Sequence, residues 1–269
     1  MPVPIVCTPK HLPESRRVAA ARRALEINPA NHPGARVVRR AFAGLSKGPA
    51  RLSLVVGSRW PASGVTLTVK FLDNPPKDLR ARILLHMNAW GKTANVLFTE
   101  THGTAKVRLA RLDSPPDMSG YWSWVGTEIL EISAAKPTIN LEGFTMKTPE
   151  SEFHRVVRHE AGHTLGFPHE HMRRALVKKI DPAKAIAFYR RDQGWSAQDT
   201  RDQVLTPIEE SSLLGTPADQ LSIMCYQIPG EITKDGKPII GGLDIDKTDY
   251  AFAASVYPKQ IHVPRKTQR

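Results

Sequence analysis

The sequence predicts a mixed fold, α/β or α+β, on three observations. Its first half interleaves β-branched runs with two helical stretches, its second half is mostly helix and irregular loop, and a basic segment precedes both. A chain of 269 residues can bury a real core as one large domain or two modest ones. A hydrophobic content of 41% against 24% charged residues suits such a core and excludes a disordered chain. No run approaches the roughly 18 consecutive apolar residues of a membrane helix.

Residues 1–50 read as a basic N-terminal extension and candidate pro-segment. The net charge of +12 suggests a nucleic-acid partner until it is located. Residues 1–59 hold eleven Lys and Arg against Glu14 and Glu26 only, while the rest of the chain is nearly balanced. The segment therefore reads first as a solvated arm, with a polyanion-binding arm or a pro-segment as alternatives, and nucleic acid is not expected as the main partner. Within it, ESRRVAAARRALEIN suits a short basic helix that NPANHPG ends. MPVPIVCTPKHLPESRR lacks a basic start followed by an apolar run, so no secretory signal is visible. The expectation is a cytoplasmic protein, or one exported without a recognisable Sec signal. Cys7 and Cys225 alone make neither a disulfide framework nor a zinc–thiolate cluster.

From residue 51 to 258 the elements follow in order. RLSLVVG and VTLTVKFLD read as strands, and Asn74-Pro75-Pro76 breaks the second. KDLRARILLHMNAWGKTA places Leu79, Ile83, Met87 and Trp90 on one helical stripe. NVLFTET, AKVRLARL, GYWSWVGTEILEI and PTINLEG are strand candidates, the last two joined through Pro137. ESEFHRVVRHEAGHTLG is a second long helix with Phe153, Val156, Val157 and Leu165 near one face. Then DPAKAIAFYRRDQ starts a helix with Asp181 as N-cap and Pro182 at its first position. SAQDTRDQVL and DKTDYAFAASVYP are further helices, and residues 259–269 form a loose polar tail.

The chemistry concentrates in HEAGHTLGFPHEH, residues 159–171. His159 and His163 lie four apart, so a helix projects both imidazoles from one face. They supply two corners of a tetrahedron around Zn²⁺. Glu160 is too close in sequence to the first ligand to share the ion comfortably, but it can reach a metal-held water and take its proton. Gly166 accepts the left-handed conformation that ends a helix, so His169 can return to the ion from outside it. Three neutral histidines leave one open position, the pattern of a catalytic rather than a structural zinc. The bland alternative is a polar helix of satisfied histidines. A chance match to the full pattern has a probability of about 10⁻⁴ or less, which favours one catalytic zinc ion.

These residues also carry a family resemblance. H-E-x-x-H-x-x-G-x-x-H followed by a methionine turn resembles the metzincins. Gly166-Phe167-Pro168-His169-Glu170-His171-Met172-Arg173 and Ser222-Ile223-Met224-Cys225-Tyr226 resemble the astacin family in particular. RWPASGVTLTVKF, YWSWVG and GKPIIGGLDIDKTDYAFAASVY are weaker flanking matches, so the resemblance spans about residues 55–258. It implies an α+β fold in two subdomains. The upper one, about 51–169, has a twisted five-stranded mixed sheet and two long helices above a substrate cleft, and the lower one, about 170–258, is mostly helix and loop. It implies a zinc metalloendopeptidase acting on protein or peptide substrates. His159, His163 and His169 would be ligands and Glu160 general base, then general acid. Tyr226 would be a candidate fifth ligand whose hydroxyl stabilises the oxyanion. Met224 would be structural beneath the metal, and Glu170 would anchor the structure behind the site. The rival reading is a zinc-containing protein-binding module without significant proteolysis.

His171 and His154 are expected to be non-ligands, His86 and His102 surface or packing residues, and Cys225 a buried small hydrophobe. The chain departs from the family in lacking paired disulfides. It also lacks the pro-segment aspartate that blocks latent relatives, since no Asp precedes Asp73. Cys7, in VCTPKH, is a weak match to a thiolate plug that would take the aspartate's place.

Overall fold

VTLTVKF alternates its side chains across the pleat, so Leu67, Val69 and Phe71 turn inward. This strand, β1 (Val65–Phe71), belongs to a five-stranded sheet that also contains β2 (Val96–Glu100), β3 (Val107–Ala110), β4 (Tyr121–Ser123) and β5 (Ile139–Leu141). The order is β2-β1-β3-β5-β4. Neighbours are parallel except β4, which runs antiparallel on β5 and forms an edge. The computed structural model describes residues 7, 10, 12–32, 57–207 and 218–259. Most of the strand expected at 51–57 and the tail beyond residue 259 lie outside these residues.

The expected sheet and helices are present, with one correction. GYWSWVGTEILEI is not one strand: β4 stops at Ser123 and a 3-10 turn covers Gly126–Glu131. Gly126 has φ +50°, and a Cβ there would sit 1.8 Å from the Ser58 carbonyl oxygen. The chain bends hard against residue 58 at this point, which apolar patterning could not reveal.

α1 (Glu14–Ile27) is the basic N-terminal helix, and α2 (Lys77–Met87) begins after Pro76 with Asp78 in its first turn. The long helix α3 runs through Glu150–Glu152, a π-helical turn over Phe153–Val157, and Arg158–Thr164. α2 packs on β2 and on the π-helical turn, and the last part of α3 packs on β4. Later in the chain come α4 (Pro182–Gln193), capped by the Asp181 carboxylate, and α5 (Lys247–Val256), which opens with a capping box of Asp246 and Asp249. Among the described residues no helix is long and apolar enough to cross a membrane.

Two apolar cores result. The upper joins the sheet, α2, α3 and α5, and includes Met224; the lower gathers Leu176, Ile180, Phe188, Tyr189, Val204 and Ile228, and includes Cys225 and Tyr226. The turn at 222–226 therefore bridges the cores, and the end of α3 lies above it.

The solvated arm expected at the N-terminus is not what the described residues form. α1 lies on the 3-10 turn at 126–131, with Arg16 and Arg23 donating to the Glu131 and Leu130 carbonyls. Asn31, 2% exposed, donates to the carbonyls of Ala24 and Arg59 and accepts from the Arg59 N–H. Asn28 donates to the Trp60 carbonyl. Burying fully paired amides in this way fixes the segment to the body.

Candidate metal centre

α3 delivers two histidines and then stops where the third must return. The Gly166 N–H donates to the His163 carbonyl at 2.8 Å and the Phe167 N–H to the Gly162 carbonyl at 3.0 Å. With Gly166 at φ +93°, this is the Schellman arrangement expected of a glycine stop. A Cβ at Gly166 would also press on the backbone of Ser58 and Arg59. His169 then re-enters, held because the Glu170 N–H donates to the Met224 carbonyl at 2.8 Å.

His159, His163 and His169 are buried and converge. The Nε2 of His169 is 3.2 Å from that of His159 and 2.9 Å from that of His163. The outer nitrogens define the tautomers. Nδ1 of His159 lies 2.6 Å from the Ile223 carbonyl and Nδ1 of His163 lies 2.7 Å from the Phe167 carbonyl. A carbonyl only accepts, so each Nδ1 carries the proton and each Nε2 presents a bare lone pair. Facing lone pairs repel unless a cation lies between them. Ligand nitrogens about 2.0–2.1 Å from a tetrahedral ion stand about 3.3 Å apart, close to the spacing here. The residues thus fit the zinc ion that the motif implies. Burial pulls the His159 pKa down to about 4, which keeps the ring neutral and able to coordinate.

Glu160 is 1% exposed, and its carboxylate oxygens make no hydrogen bond of ordinary geometry among the described residues, although the Cys7 thiol and Ser123 lie beside them. Burial pushes its pKa up to about 7. The Tyr226 hydroxyl is likewise buried without such a bond there, again with the Cys7 thiol beside it. Its ring centroid lies 4.1 Å from that of His169 and 6.2 Å from that of His159. Unsatisfied buried polar groups are costly, and here they cluster beside the converging imidazoles. Tyr121, Arg155, Val156, Ile223 and Gln227 line the adjoining pocket, so edge strand β4 borders the site.

Met224 lies in the upper core, and its sulfur explains a glycine that the motif leaves open. A Cβ at Gly162 would sit 2.5 Å from Met224 Sδ and 3.0 Å from the Trp90 ring. The turn is braced from below: Asp249 accepts from Ser222 Oγ at 2.6 Å and from the Ile223 N–H at 2.9 Å. Glu170 lies behind the site, accepting from the Asp219 N–H at 3.0 Å with Arg173 at 3.5 Å, and burial raises its pKa to about 7.

Cys7 is the largest surprise. It is 6% exposed, and its Sγ and one nitrogen from each of His159, His163 and His169 all lie within 4.8 Å of one another. The sequence signal was slight: a lone early cysteine in a segment without aspartate. Three residues on, the Lys10 N–H donates to the Ser123 carbonyl at 3.4 Å, a long backbone contact to β4. Lys10 Nζ contacts the Asp117 carbonyl and lies 5.0 Å from the Trp122 ring centroid.

His86, Glu150 and His154 also bring ligand atoms within 4.8 Å of one another. Two arginines make this an ion-pair network instead. Arg158 Nε donates to His86 Nδ1 at 3.3 Å, which places the His86 proton on Nε2, where a metal would have to bind. Arg82 holds Glu150 at 2.5 Å, Arg158 holds Asp244 at 2.5 Å, and His154 Nδ1 lies 2.9 Å from Asp244. His86 is a packing residue, as expected, and His154 belongs to this network. Cys225, also as expected, is buried and small.

No protein-family model matches the chain, and no curated protein does. Solved structures do. A structure of myroilysin matches with a TM-score of 0.70 and 28% identity, over 76% of this chain and 97% of that one. A second myroilysin structure gives a TM-score of 0.57 and 28% identity, over 75% and 86%. High choriolytic enzyme 1, a hatching enzyme zinc-protease from the medaka fish Oryzias latipes, aligns at 18% identity and a TM-score of 0.48, over 72% and 90%.

Proposed function

Because the chain is an astacin-like metzincin, we propose that it is a zinc-dependent endopeptidase, held latent by its own N-terminal segment. One observation carries the first half: three imidazole nitrogens, those of His159 and His163 left bare by their carbonyl bonds, converge beside a buried carboxylate that makes no hydrogen bond of ordinary geometry among the described residues. His159, His163 and His169 would hold one zinc ion, which would supply Lewis acidity toward a peptide carbonyl and toward water and would favour the thiolate form of a coordinating cysteine.

The chain's own groups do the rest. Glu160 takes the proton of the attacking water and then delivers it to the departing amine. The buried Tyr226 hydroxyl donates to the oxyanion as it develops, where a preorganised donor acts most strongly. β4 offers its edge to an extended peptide, and this recognises main chain rather than sequence. A binding module would gain nothing from a carboxylate buried in this way.

Cys7 carries the second half. Its sulfur stands where a fourth ligand would, Lys10 contacts β4, and α1 anchors the segment on the 126–131 turn. A substrate and this segment compete for the same ground. Cys7 also favours a second reading, a closed four-ligand zinc site with a structural role and no turnover.

The experiment compares the full chain, Cys7→Ala and Cys7→Ala/Glu160→Gln, each loaded with zinc, on a proteome-derived peptide mixture. New peptide ends are expected to appear at least about tenfold faster with Cys7→Ala than with the unmodified chain. They should vanish with the Glu160→Gln change while zinc is retained, because one general base contributes about 10²–10⁴-fold. Zinc-loaded Cys7→Ala without cleavage favours the structural reading. Equal cleavage with and without the Cys7 thiol ends the latency.

A further inference from the structure

His171 was expected to be a non-ligand. It is fully buried, 0% exposed, and its ring stacks on Tyr226 with centroids 4.1 Å apart and planes at 15°. Its Nε2 lies 2.9 Å from the Gln203 carbonyl, an acceptor, so Nε2 carries the proton and donates it there. That bond fixes the ring plane to the π-helical turn Arg201–Leu205, which the fully buried Val204 roots in the lower core. His169 packs on the same tyrosine at a tilt, with centroids 4.1 Å apart at 51°, and its ring also touches His171, with centroids 4.9 Å apart. Tyr226 is therefore packed in the corner between one imidazole of the metal set and another that the fold has immobilised.

Resting on the role proposed above for Tyr226, we infer that His171 is a positioning residue that sets the plane in which the Tyr226 ring can turn. A parallel aromatic wall at this distance permits the phenol to slide across it but not to tilt into it. The hydroxyl then travels in one sheet of space, toward the Glu160 side of the site. Pre-setting that path leaves less orientation to be found when the oxyanion forms. In the turn Glu170–Met172 the ring that faces Tyr226 is that of His171.

The test uses the full chain with Cys7→Ala as the reference, so that substrate reaches the cleft. His171→Asn removes both the ring and the reach to the Gln203 carbonyl, whereas His171→Phe loses that donor but keeps the flat face. His171→Asn is expected to lower kcat by about tenfold or more with KM within about twofold, a loss confined to the transition state. His171→Phe should recover most of it, and His171→Asn should cost nothing further in a Tyr226→Phe background. A second readout needs no turnover: 3-fluorotyrosine at position 226, assigned by its loss in Tyr226→Phe, should give one sharp fluorine resonance. That resonance should broaden or split in His171→Asn with zinc content unchanged. An equal kcat loss in both tyrosine backgrounds, or an unaltered resonance, overturns the positioning role and leaves the peptidase reading intact. A silent Tyr226→Phe overturns this role together with the oxyanion role of Tyr226. Loss of all turnover in the reference, with the fluorine arm as expected, isolates failure in the peptidase reading.

Discussion

Two glycines separate what a motif records from what a fold demands. Gly166 belongs to the zinc pattern, and its φ of +93° and tight backbone neighbours leave no room for a side chain. Gly166→Ala is expected to displace His169 and weaken zinc binding by at least about tenfold in a competitive chelator titration, since positive φ strains any L side chain by about 1–3 kcal/mol. Gly162 falls at a position the pattern leaves free. Its Cβ would collide with Met224, so Gly162→Ala should lower stability by about 1–3 kcal/mol through overpacking, read as a shift in the urea midpoint. The ligand histidines and Gly166 were legible because helical geometry links neighbours along the chain. Gly162 and Cys7 were not, because their partners come from distant segments and leave no spacing to read. The packing of His171 was hidden for the same reason: Tyr226 and Gln203, the residues it touches, lie far along the chain.

At the scale of elements, strands β1 and β2 and helices α2 and α3 emerged from period, since each buries one face against the same core, whereas β3 and β5 are buried throughout and were legible from composition and flanking breakers. Two departures had tertiary causes. β4 is cut short by the bend at Gly126, and α3 includes a π-helical turn one turn ahead of His159, a feature that marks functional helices but has no residue signature. The 126–131 turn beneath α1 also makes a pH prediction. Burial raises the Glu128 carboxyl to about 7 from an ordinary value of 4.5, with Arg17 of α1 pulling it back. A carboxyl raised in the folded state favours the protonated form, so its contribution is intact below about 4.5 and is lost as pH climbs through about 7. Glu128→Gln should therefore leave stability almost unchanged at pH 5. At pH 8 it should gain on the order of 2 kcal/mol, measured as the difference from the unmodified chain in paired urea melts. A gain of equal size at both pH values would place the effect elsewhere.

For the whole molecule, the site is the joint between two cores. α3 and Met224 come from the upper core, while Cys7, Cys225 and Tyr226 pack with the lower one. An ion at that joint acts as a linker, and removing it should loosen both sides. Chelation is expected to lower the melting temperature, by an amount equivalent to about 4 kcal/mol when free zinc had stood at about a thousand times its Kd. Part of the basic bias has a structural account as well: Arg16 and Arg23 of α1 donate to the carbonyls of the 126–131 turn, and Arg23 pairs with Glu131. Composition alone placed that charge on an arm, and only the fold revealed what the arm covers.

The most direct measurement is zinc X-ray absorption, together with metal analysis, on the full chain and on His169→Ala. The account expects one zinc per full chain, a nitrogen shell at about 2.0–2.1 Å with imidazole scattering, and a single sulfur at about 2.3 Å that disappears in Cys7→Ala. Failure to bind stoichiometric zinc, or an unchanged nitrogen shell after His169→Ala, would contradict it.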